Sequence, residues 1–193
     1  ILKQLTGGLC DAVTGQTDGE QMLAHLWNEN LFIIRAEDQA WYRYHDLFAE
    51  MLRNQQQRQF PDQTAELHRR AAVWYMAQNM SADAVHHYLY IKDWETAAEV
   101  IEEVGLRELA ESGEDSRLLR WVQQLPETVV QGHRTLLFVY LRLANLALPR
   151  DEVTRFLKRI EHNLTTKSPA DLTQNEQDVL DEVREIQARL TKS

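Results

Sequence analysis

Hydrophobic residues recur at helical spacing along almost the whole chain, and one short stretch breaks that pattern. Leu31-Phe32-Ile33-Ile34 and Trp41-Tyr42-Arg43-Tyr44 are runs of β-branched and aromatic side chains around the polar Ala36-Glu37-Asp38-Gln39-Ala40. Two such runs about a short polar loop predict a β-hairpin. The second run passes straight into His45-Asp46-Leu47-Phe48, where helical spacing resumes, so a histidine stands at a strand-to-helix corner. A hairpin alone is marginal in water, so this one must pack on the helices around it.

Leu2, Leu5, Leu9 and Val13 predict a first helix over about residues 2–13. Asp18, with Gln21 three residues on, has the form of a capping box opening a second helix, whose apolar side is Met22, Leu23, Leu26 and Trp27. Leu47, Phe48, Met51 and Leu52 mark the helix after the corner, which the polar Arg53–Gln59 is expected to end. Helix, helix, hairpin, helix is the outline of a small winged-helix-like module over residues 1–59.

From residue 60 to 193 the pattern is helical throughout. Pro61 suits a first helical turn, where its missing N–H costs nothing. Ser81 and Asp93 are placed as caps, and the alanines at 71, 72, 97 and 98 let helix axes approach closely. Short helices paired in this way predict an irregular, tetratricopeptide-like stack of antiparallel helices. The segment Leu136–Leu148 is apolar nearly all round and is expected to be central. The fold class expected is therefore mainly α, with one β-hairpin.

The 193 residues carry a formal net charge of −9, and acidic balance argues against this chain gripping nucleic acid by itself. No apolar run approaches the roughly 20 residues needed to span a bilayer. The chain opens Ile1-Leu2-Lys3-Gln4, with neither an initiator methionine nor a leader, and is expected to be a cytoplasmic piece of a longer protein. Its one cysteine, Cys10, excludes an internal disulfide and a multi-cysteine zinc site. No phosphate loop, HExxH or GxSxG motif occurs, so no catalytic residue is assigned and the chain is not expected to be an enzyme.

Four pieces resemble a known family when taken in order: Trp41–Phe48, Glu66–Tyr75, Ala84–Tyr88 and Asp93–Ala98, with Leu119–Pro126 as a looser continuation. Together they resemble the MalT-type, LuxR-family ATP-dependent transcription regulators of the STAND class. The resemblance implies an internal relay segment, winged helix plus helical arm, coupling an ATPase module to a sensor and a terminal DNA-binding domain. It implies no cofactor in this segment and ATP or ADP in the intact protein. The partners implied are the ATPase and sensor domains of the same chain, with self-association on activation. In related STAND proteins a Met-His-Asp motif sets its histidine near the ADP phosphate. Tyr44-His45-Asp46-Leu47 matches the His-Asp-Leu part, with Tyr44 in place of the methionine, and the resemblance carries that contact onto His45. The alternative reading is a stand-alone helical-repeat scaffold for a protein partner.

Other residues have plainer expectations. His86 and His87 are adjacent on a helix and point apart, so they and His68 are expected to be structural, with no metal site. Glu102-Glu103, Glu111-Glu114-Asp115 and Asp181-Glu182 are expected to be solvated faces. Trp74, Trp94 and Trp121 are expected to pack in the core. Leu172–Leu180 superficially resembles the opening of a LuxR helix-turn-helix, but Arg184–Ala188 continues a single helix.

Overall fold

The computed structural model describes residues 1–36, 41–111, 116–147, 149–168 and 170–192. Most of the hairpin loop, Glu114, Asp115, Leu148 and Pro169 lie outside them, as do the side chains of Glu111 and Leu190. The chain forms two compact units, Ile1–Lys92 and Asp93–Ser193.

The first unit begins with α1 (Gly7–Thr14) and α2 (Gly19–Asn28), continues through β1 (Ile33–Arg35) and β2 (Tyr42–Tyr44), and then enters α3 (Asp46–Gln59). A 3-10 turn over Pro61–Gln63 leads to α4 (Thr64–Ala77) and α5 (Ser81–Tyr90). The strands pair antiparallel, with Ile33 opposite Tyr44, Ile34 opposite Arg43 and Arg35 opposite Tyr42. Leu5, Leu23, Ile33 and Tyr42 form the small core between the hairpin and the first two helices.

The first helix is shorter than its leucine spacing suggests. Thr6 caps it by accepting the Leu9 N–H at 3.2 Å, so the helix starts at Gly7. Leu5 instead exchanges two backbone hydrogen bonds with Tyr42, at 2.7 and 2.8 Å, adding one rung to the free edge of β2. Leu2 packs on the same core without being helical. The expected capping box on α2 is also replaced. Asp18 makes no side-chain cap, and the carboxylate of Asp11 accepts the Gly19 N–H at 2.8 Å from the neighbouring helix. That bond follows from the closeness of α1 and α2, whose contact is made through Gly7 and Gly19. Of the apolar side expected for α2, Leu23 is buried, whereas Met22 and Trp27 are exposed.

Two further boundaries differ from the spacing. α3 runs on through Arg53–Gln59, because glutamine and arginine are good helix formers and this helix buries none of its residues completely. Pro61 opens the 3-10 turn and not the helix proper. α4 packs on α1 as well as on α5, so the helical pair belongs with the first compact unit. Ser81 is the first residue of α5, and Met80 occupies the capping position.

Gly15 ends α1 with φ of 75°, and its N–H closes on Asp11 O at 2.8 Å. A side chain is strained in that left-handed turn. Gly15→Ala is therefore expected to cost about 1 kcal/mol, read as a lowered midpoint in urea unfolding.

The second unit comprises α6 (Trp94–Glu111), α7 (Ser116–Gln124), α8 (Glu127–Gly132), α9 (Arg134–Ala147), α10 (Arg150–Thr165) and α11 (Gln174–Lys192). Asp93 precedes α6 and accepts from the Thr96 hydroxyl at 2.9 Å. Leu136, Leu137, Val139, Tyr140 and Leu141 are buried and α9 touches all five other helices, as its apolar sequence requires. Phe138 is the exposed exception. Gly105 lets α6 approach α9: a Cβ there would lie 2.9 Å from Val139. α11 is one continuous helix, opened by a capping box in which Thr173 N–H meets the Glu176 carboxylate at 2.9 Å and Glu176 N–H meets the Thr173 hydroxyl at 3.2 Å. The whole is mainly α with one described β-hairpin, and no described helix is long and apolar enough to cross a membrane.

Candidate functional site

The strand-to-helix corner is built from backbone. Phe32 precedes β1 with φ of 56°, a left-handed conformation that is uncommon for a bulky aromatic residue. Its carbonyl accepts the His45 N–H at 2.9 Å, tying the end of β2 to the start of β1. His45, with φ of −57° and ψ of 140°, turns the chain from strand into α3, and its carbonyl accepts the Ala49 N–H at 2.8 Å. The Phe32 ring stacks on Phe48 one turn into α3, with centroids 5.0 Å apart, and Tyr44 meets Phe48 edge-on at 5.5 Å. These three aromatic rings brace the corner from both sides.

The side chains at the corner point outward. His45 is exposed and makes no capping hydrogen bond. Asp46 is 98% exposed and lies 3.8 Å from the half-exposed Arg43. Such a surface pair contributes little to stability. Leu47 is 83% exposed, and Met51 one turn further along is half exposed. The unit therefore presents a histidine, a carboxylate and two apolar side chains on one rim. A left-handed backbone at a residue such as Phe32 costs about 1–3 kcal/mol.

The other residues singled out in the sequence fall elsewhere. His68 and His87 meet between α4 and α5, with their Nδ1 atoms 2.8 Å apart. They are 4% and 5% exposed. The His68 ring lies flat on Tyr90, centroids 4.0 Å apart, and the His87 ring stacks on Tyr75 at 5.5 Å. Burial holds His68 down to about 3, helped by His87, the terminal amine and His86. Burial likewise holds His87 down to about 4, helped by His86, the terminal amine and Lys3. Two neutral rings share one proton between their Nδ1 atoms, one donating and one accepting. Sequence spacing missed this contact because the partners are 19 residues apart, and only the antiparallel crossing of α4 and α5 joins them. The His86 and His87 rings lie at 72° to each other. Among the described residues no three histidine, cysteine or carboxylate side chains converge as a metal site.

Glu102 is not a solvated face. Its carboxylate accepts the Leu136 N–H at 2.9 Å and lies 3.3 Å from His133, whose other nitrogen lies 3.1 Å from Glu95. Burial opposes a charge on His133, but the hydrogen bonds to Glu95 and Glu102 prevail and raise it. Cys10 is half-buried, and burial pushes its thiol up to about 11, which makes it a poor nucleophile. Trp74, Trp94 and Trp121 are half-buried, with Trp74 edge-on to Trp41 at 6.4 Å.

Comparison with known proteins joins these observations to a family. Residues 1–64 match the MalT winged helix domain. The chain is 34% identical over 192 residues to the serine/threonine-protein kinase PknK of Mycobacterium tuberculosis, covering 96% of this chain and 17% of that protein. It is 29% identical over 162 residues to the HTH-type transcriptional regulator MalT of Vibrio campbellii, covering 83% of this chain and 18% of the regulator. Over 94 residues it is 37% identical to MalT of Yersinia pestis, covering 48% of this chain and 10% of that protein. The chain thus spans less than a fifth of the length of these relatives. Its hairpin, corner and first helices fall within the match to the MalT winged helix domain, and the similarity to MalT regulators continues over most of the chain.

Proposed function

We propose that this segment relays state between an ATPase module and a sensor within the same longer chain, by repacking its surfaces and without chemistry of its own. The corner carries the proposal: a strained backbone at Phe32 holds the His45 N–H while the His45 imidazole, Asp46 and Leu47 face outward. A side chain with no capping role, fixed at a rigid turn, is available to a neighbouring module. The family resemblance supplies the ligand, the phosphate of ADP. Leu47 and Met51 supply the adjoining apolar contact by which the module would seat.

A histidine donating to a diphosphate makes a charge-assisted bond of about 1.5–3 kcal/mol. A contact made only with ADP bound shifts a two-state switch by at most its differential strength. His45→Ala in the intact protein is therefore expected to weaken ADP binding roughly 10- to 100-fold and to raise basal activity without inducer. Calorimetric ADP titration and a reporter assay without inducer check both. Unchanged affinity with unchanged basal activity rejects the role for His45. Leu47→Asp is expected to raise basal activity with little change in ADP affinity.

A further inference from the structure

A cleft of about 220 Å³ opens in the first unit between the N-terminal segment, α3, α4 and α5. Lys3, Arg53 and His86 line it, together with Gln57, Thr64 and the buried His68. No carboxylate lines it, although the chain has 30 acidic residues against 21 lysines and arginines. Among the described residues neither Lys3 nor Arg53 has an ion-pair partner. Their charges are felt across the cleft: burial and then Arg53 lower the Ile1 amine, and burial and then Lys3 lower His86. Cations gathered around one concavity without counter-charge repel one another, and that cost is removed when an anion occupies the space.

We propose that this cleft binds a small phosphate-bearing anion, with Arg53 and Lys3 holding its charge and His68 and His86 forming its floor. Arg53 supplies the planar fork suited to phosphate oxygens, and Lys3 a mobile point charge. Gln57, whose amide reaches Tyr90 Oη at 3.4 Å, and the Thr64 hydroxyl, held by Gln56 at 3.0 Å, are neutral polar groups on the same wall. The volume accepts a phosphate or diphosphate group and is below the range usual for a whole drug-sized ligand.

The groups facing the floor are the Ile1 amine and Lys3 from the N-terminal segment, Arg53 from α3, His68 and Tyr75 from α4, and Asp83, His86, His87 and Tyr90 from α5. Only Asp83 among them favours a charge on His86. An added anion acts in the same sense as Asp83, so it is bound with uptake of a proton and more tightly as pH falls below 7.

The test is calorimetric titration of the 193-residue chain with inorganic pyrophosphate, and separately with phosphate, at low ionic strength. Saturable binding is expected, weakened at least tenfold in Arg53→Gln and in Lys3→Gln and tighter at pH 6 than at pH 7.5. Both substituted residues are exposed, so the fold survives. Binding is expected to persist after acetylation of the α-amine, which separates the side chains from the terminus. Absence of binding, equal binding by Arg53→Gln, or loss on acetylation alone overturns the proposal.

Discussion

Acidification is expected to loosen the first unit before the second. His68 and His87 are held neutral in the folded chain at about 3 and about 4, against an ordinary 6.5. Below pH 6.5 the unfolded chain therefore binds more protons than the folded one, and stability falls with pH. The loss starts near pH 6.5 and is complete only below the folded values. By pH 4 it amounts to a few kcal/mol, a large part of the stability of a unit this size. One proton added to the pair leaves a charge enclosed by Tyr75 and Tyr90, and a second leaves both Nδ1 atoms as donors with nothing to accept.

In the second unit His133 has the opposite sign. Its folded value is raised, so its contribution is present in full below pH 6.5 and fades as pH rises through the folded value. Glu95 is largely exposed, so solvent screens much of that contribution. Hydrogen exchange between pH 7 and pH 4, corrected for intrinsic rate, is expected to show protection falling in α4 and α5 while α6 and α9 keep theirs. His68→Leu/His87→Leu, which replaces both partners with apolar groups, is expected to flatten the acid slope. If the double variant keeps the full slope, the pair is not its source.

The second large effect is expected from Gly19→Ala. A Cβ on Gly19 would lie 2.5 Å from the Gly7 carbonyl and 2.8 Å from the Asp11 carboxylate, and a Cβ on Gly7 would lie 2.8 Å from the Glu20 backbone nitrogen. Backbone on one side and backbone on the other leave no flexible group to yield. α1 and α2 must separate, which costs about 1–3 kcal/mol in overpacking and weakens the Gly19 to Asp11 hydrogen bond by up to about 1 kcal/mol more. Urea unfolding followed by tryptophan fluorescence is expected to show a lower midpoint. Gly132→Ala is the matched control: nothing lies within 4 Å of a Cβ there, and the change is expected to be neutral or slightly stabilising. Equal effects of the two would remove close helix approach as the cause.

Much of the helical architecture is legible because buried positions recur at the right interval. Ala71, Ala72, Ala97 and Ala98 are fully enclosed, and Leu157, Ile160 and Leu164 form the inner face of α10. The hairpin is legible from its aromatic runs, with the strands each trimmed to three residues. Where the spacing misleads, a tertiary contact has replaced a local one. Leu2 and Leu5 lie at helical intervals by coincidence, and a strand edge captures Leu5. Asp18 has the form of a cap, yet Asp11 supplies the bond from another helix. Arg53–Gln59 resembles a linker because it is polar, and it is helical because polarity does not oppose a solvated helix. The change of pattern places His45 at the strand-to-helix corner but assigns it no role. Its resemblance to a known motif supplied the expected role, and the structure adds the left-handed Phe32 whose carbonyl accepts its N–H.

The single rung between Leu5 and Tyr42 has a mechanical consequence. Two hydrogen bonds join the N-terminal strand residue to the hairpin, and His45 lies three residues beyond Tyr42. Tension applied to residues 1–4 would load those bonds directly and reach the corner through less than one turn of chain. A tug of this kind turns the edge of a sheet into a lever, with the histidine near its tip.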